Sequence, residues 1–205
     1  MHKTQDLIAE IKRLEAELLL EIQKQEETFF YKTKGRKIVF DEATVTKQKS
    51  EATGMIAYLL DVPILNFLTF PIIWFGIFPA MFMDLVVSLY HSICFRVYGI
   101  PLVKRSDYIV IDRHSLRYLN VIERLNCIYC GYFNGLMAYV QEISARTEQY
   151  WCPIKHARKL TSMHKHYHKF VAFGDYENYQ NKLVKIRKDF EGLQAKPEKK
   201  KHKPT

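Results

Sequence analysis

The side chains best suited to chemistry are Cys127, Cys130, Cys152 and His156, in the pattern Cys-x2-Cys-x21-Cys-x3-His. Three thiolates and an imidazole are the donors of a closed tetrahedral zinc site, and the same set can hold iron. The fourth cysteine of the chain, Cys94, lies in an apolar stretch. Two other readings of the thiols stay open: Cys127 and Cys130 as a redox dithiol, or all of the cysteines as buried packing residues. A second cluster is His164-Lys165-His166-Tyr167-His168. A helix would align His164 with His168, and a strand would align all three histidines. Set among Lys159, Lys165 and Lys169, they read as a second metal cluster or as a pH-sensitive basic surface near anionic headgroups.

The run Asn126-Cys127-Ile128-Tyr129-Cys130-Gly131-Tyr132 resembles the knuckle of rubredoxins and zinc ribbons, where a glycine permits the turn behind the second sulfur. The resemblance implies a half-site and no function. Apolar residues at Leu136, Tyr139, Val140, Ile143 and Tyr150 predict a helix over residues 135–151, which spans about 25 Å. One shared centre therefore requires the 127–134 loop to fold back along that helix, and eight extended residues reach about 26 Å. Glu142 stands four residues before Arg146, the favourable order for a helical ion pair, so a structural role is expected for it. The chain has no Ser/His/Asp arrangement, phosphate-binding glycine loop, HExxH or Glu-x2-His motif. Catalysis is left without a positive signature, and the balance leans away from an enzyme.

These residues follow a long apolar segment. Val62 to Met83 holds no charged side chain, and the apolar character resumes after Asp84 and runs to Val103. Residues 54–103 have room for two membrane spans, expected at 54–76 and 80–102 with a turn at Gly76 and Pro79. Lys47 and Lys49 precede the segment, while Arg96, Lys104 and Arg105 end or follow it. Such flanks predict a helical hairpin with both termini cytoplasmic, with a single span or the buried helical pair of a soluble protein as the alternatives. The charged start MHKTQDLIAEIKRLEAE lacks an apolar core, so no signal peptide is expected. Asp84 and His91, seven residues apart, share one helical face as intramembrane polar groups. They are expected either at a functional site, or with Asp84 in the interface and His91 making one interhelical hydrogen bond.

Two amphipathic helices flank this region. Leu7, Ile11, Leu14, Leu18 and Ile22 form a seam within residues 1–30, and Tyr176, Tyr179, Leu183, Ile186, Phe190 and Leu193 form another within 171–195. The two are expected to pair with each other or to join copies of the chain, through residues 7–22 and 176–193. Between the first helix and the membrane, residues 31–53 read as a linker with a small β-hairpin around Lys34-Gly35. The end, residues 196–205, reads as a disordered basic tail that could touch anionic lipid.

The 205 residues allow one domain and an anchor, not a multidomain enzyme. The net charge of +9 comes wholly from residues 152–205, with 14 Lys+Arg against 5 Asp+Glu. Nucleic-acid binding is not expected, because no recognised module is present. The run from IPLVKRSDYIVIDRH through NCIYCGYFNGL to RTEQYWCPIKHAR is similar to a family of uncharacterised bacterial inner-membrane proteins, over roughly residues 60 to 160. That similarity implies an inner-membrane setting and supplies no activity. The expectation is a mainly α protein: a membrane hairpin, a small cytoplasmic Cys/His domain at 104–170 and flanking amphipathic helices. Its function is expected to be structural, as a scaffold with a zinc site; a membrane redox protein and an anionic-lipid-binding protein are the alternatives.

Overall fold

A computed structural model describes residues 2–27, 31–34 and 37–190. It is mainly helical, with helices α1 (His2–Glu27), α2 (Glu42–Ser50), α3 (Met55–Asp61), α4 (Ile64–Phe75), α5 (Ile77–Tyr98), α6 (Val121–Trp151) and α7 (Tyr176–Lys188), and one two-stranded sheet, β1 (Tyr31–Lys34) and β2 (Lys37–Phe40). The chain divides into two units, residues 1–62 with 112–128, and residues 63–111 with 129–205. The tail at 196–205 and the end of the C-terminal seam lie outside the described residues.

In the first unit, β1 and β2 pair antiparallel with Tyr31 opposite Phe40 and Lys34 opposite Lys37. Asp41 then caps α2 by accepting the Thr44 N–H, the ordinary way to satisfy an orphan donor of the first turn. The α1 seam residues Leu7, Ile11, Leu14, Leu18 and Ile22 are all exposed. Near the other end of the unit, Asn120 and Glu123 form a reciprocal capping box. The Asn120 side chain accepts the Glu123 N–H at 2.9 Å, and the Glu123 carboxylate accepts the Asn120 N–H at 2.8 Å. This pair starts α6, which is 31 residues long.

In the second unit, α4 and α5 follow one another across Gly76, which keeps right-handed helical backbone angles. Together they form one element, Ile64–Tyr98, long and apolar enough to cross a membrane. One candidate membrane helix is present among the described residues, where the sequence predicts two spans with a turn at Gly76 and Pro79. Pro79 is the third residue of α5, where its missing N–H would have had no intrahelical acceptor, so it does not break the helix. Helix α4, with 12 residues, covers only about 18 Å.

Helix α5 ends at Gly99, whose φ of 67° no side-chain-bearing residue adopts cheaply. The chain then runs back beside α6, so that Ile100, Val103 and Phe95 join Leu136, Tyr139 and Ile143 in the main core. A smaller core of Tyr167, Phe170, Val171 and Ile186 fixes α7. The C-terminal seam is thus partly spent inside its own unit, with Leu183 and Ile186 buried.

Candidate functional site

One inward face of α6 carries four polar side chains, Tyr139, Glu142, Arg146 and Gln149, in line with Gly131 and Gly135 at spacings of three and four. Gly135 acts as a close-approach position. A Cβ on Gly135 would lie 2.6 Å from the Tyr108 carbonyl oxygen and 2.8 Å from Ile109 Cα, so the 99–111 segment packs directly on the helix backbone.

Helix α5 contributes Asp84 and His91, and α6 answers with Tyr132 and Tyr139 at the same seven-residue interval. Asp84 accepts hydrogen bonds from Tyr132 Oη at 2.9 Å, Arg105 at 2.6 Å and Ser88 Oγ at 3.1 Å. His91 is buried, and its Nε2 accepts the Val103 N–H at 2.8 Å. An accepting Nε2 carries no proton, so the ring is neutral with its hydrogen on Nδ1, facing Tyr139 Oη at 3.3 Å. The matched intervals mean that α5 and α6 run parallel over this contact.

One turn beyond Tyr139 lies an ion network. Arg146, 5% exposed, donates through Nε to Glu142 Oε1 at 2.8 Å and through its terminal nitrogen to the Pro101 and Leu102 carbonyls at 2.8 and 3.3 Å. His166 Nε2 reaches the same carboxylate oxygen at 3.3 Å. Burial alone would raise the Glu142 pKa, but hydrogen bonds from His166 and Arg146 and their charge outweigh it and hold the carboxyl down at about 2. Beside it, His164 Nδ1 accepts the His166 N–H, and Nε2 faces Glu148 at 2.9 Å. Gln149 is fully buried and donates to the Ile186 and Asp189 carbonyls at the end of α7.

A stability dependence follows. Folding favours the charged form of Glu142, so its contribution is complete above the ordinary carboxyl value of 4.5 and is lost as pH falls towards about 2. The expected loss is on the order of 3 kcal/mol across that window. Denaturant titrations at pH 5.5 and pH 2.5 measure it, with Glu142→Gln expected to flatten the dependence.

The expected Cys/His site residues are distributed differently. Cys127 and Cys130 lie inside α6, with no turn at Gly131, and the loop expected at 127–134 is helix. Cys130 and Cys152 are separated by the helix that ends at Trp151, a rise of about 32 Å, so they do not meet at one centre. Both are exposed. His156 is likewise exposed, its ring stacked on Tyr167 and its N–H donating to Tyr167 Oη at 2.7 Å. His164 and His166 face different carboxylates, and His168 is exposed. Among the described residues, no group of three His, Cys, Asp or Glu side chains is placed to hold a metal ion.

The Glu142–Arg146 pair was readable from its spacing. Arg105 and Gln149 carry no local sequence signal of a polar partnership. The one signal for Tyr132 and Tyr139 was their own seven-residue interval, matching that of Asp84 and His91. Comparison with protein-family models, curated proteins and solved structures finds no match.

Proposed function

We propose that the chain is a membrane-anchored structural module, with Ile64–Tyr98 inserted in a bilayer and the α6 polar network holding the water-facing part rigid against it. The observation that carries this reading is the outer face of α4 and α5. Phe67, Ile72, Phe78, Phe82, Leu89 and Val97 are all more than half exposed, an apolar surface far beyond what soluble monomers leave bare. Asp84, His91, Glu142 and Glu148 are each engaged with another side chain or a backbone donor. That supports a positioning role for them over a catalytic one. The basic C-terminal quarter supports a cytoplasmic placement of that side of a bacterial inner membrane, and the bare seam of α1 supports self-association through residues 7–22.

The test is alkaline carbonate extraction of expressed membranes. The wild-type chain should remain in the pellet. Leu85→Arg with Leu89→Arg, on exposed positions of α5, should move it to the supernatant, because each arginine costs about 3 kcal/mol at membrane depth. Release of the wild-type chain by carbonate would overturn the anchor.

A further inference from the structure

Where the apolar face of α5 ends, the second unit contains a cavity of about 500 Å³ that the polar network does not use. Its walls are Tyr98 and Tyr150, Val184 and Phe190, and its charged lining is Arg187 and Lys188. The two tyrosine rings stack on each other at 5.3 Å with an interplanar angle of 16°.

Neither cation makes a hydrogen bond or ion pair with the fold around it among the described residues. Basic residues often sit at a helix C-terminus to satisfy its last carbonyls, but here Gln149 takes the Ile186 and Asp189 carbonyls, and Lys169 Nζ also reaches the Asp189 carbonyl at 2.8 Å. The Asp189 carboxylate is paired with Lys169 at 3.1 Å. Arg187 Nε is buried and has no hydrogen-bond partner among the described residues. The cations lining the cavity are therefore left without a counter-charge among the described residues, and an anionic ligand would supply one.

We propose that this cavity binds a phosphate-bearing lipid, the phosphate held by Arg187 and Lys188 and the first apolar carbons laid against Tyr98, Tyr150 and Phe190. Guanidinium is suited to a phosphate because its planar fork matches two oxygens at once. The position favours a lipid over a soluble phosphate. Val97, next to Tyr98 in α5, is 76% exposed, and tyrosines at the end of an apolar helix mark the level of headgroups. This inference rests on the membrane-anchor reading, which the carbonate extraction tests separately.

The experiment uses the full chain in a maltoside detergent, with native mass spectrometry after addition of phosphatidylglycerol, phosphatidic acid, phosphatidylcholine or inorganic phosphate. One anionic lipid per chain should be retained, with phosphatidylcholine retained about tenfold less. Arg187→Gln with Lys188→Gln should weaken retention about tenfold, and Lys188→Gln alone, on an exposed side chain, should weaken it by a smaller factor. Circular dichroism matching wild type shows that the variants are folded. Equal retention of phosphatidylcholine overturns the proposal, as does retention unchanged in the double variant. Full competition by inorganic phosphate at the lipid concentration would make this a soluble-phosphate site. Loss of binding only on deletion of residues 196–205 would assign the lipid to the tail.

Discussion

Arg146→Leu is expected to destabilise the second unit by about 3–5 kcal/mol, enough to remove most of the folded population of an ordinary domain. The arginine neutralises Glu142 and supplies donors to two carbonyls of the segment that follows α5. Its loss leaves a buried carboxylate facing only His166 and leaves Pro101 and Leu102 without that donor. Pairing it with Glu142→Leu should recover a large share of the lost stability, because an apolar pair carries no stranded charge. Thermal unfolding in detergent of the two single variants and the double variant measures the coupling. If the double variant is no more stable than Arg146→Leu, the ion pair is not what the arginine sustains.

Gly135→Val should be nearly as damaging, with a loss of about 3 kcal/mol or more. The obstacle is backbone on the far side, at 2.6 and 2.8 Å from the added Cβ, and backbone cannot rotate away as a side-chain tip can. The 99–111 segment would have to lift off α6, taking with it the Val103 N–H that His91 accepts and the carbonyls that Arg146 holds. Hydrogen exchange should report this directly, with the Val103 amide losing protection in the variant. A Gly135→Val protein with wild-type exchange at Val103 would show that the segment tolerates the displacement.

Gly135 also bears on which parts of the structure could be read in advance. Helical periodicity over α1, the Gly135–Trp151 part of α6 and the core of α7 is carried by local spacing, and each is a helix. The 127–134 stretch reads locally as a loop, because Cys-x2-Cys-Gly followed by Asn-Gly has turn chemistry. Tertiary contact overrides that preference: at Gly135 the missing side chain makes room for Tyr108 and Ile109, and the helix continues. At the Gly76–Pro79 step the backbone likewise stays helical, since a proline in the first turn of α5 costs no hydrogen bond. The tyrosine and arginine partners of Asp84 and His91 were hidden by distance along the chain. No local pattern specifies a contact across 48 residues, although the equal intervals on the two helices are consistent with it.

That same separation has a consequence for biosynthesis. Asp84 and His91 are synthesised 48 residues before Tyr132 and Tyr139. At about 5–20 residues per second, the interval is roughly 2–10 seconds. During it, the nascent α5 carries a carboxylate and an imidazole with no partner on α6, in a segment otherwise apolar enough to enter lipid. The polar pairing of α5 is therefore a late event, completed only after Tyr132 and Tyr139 of α6 have left the ribosome.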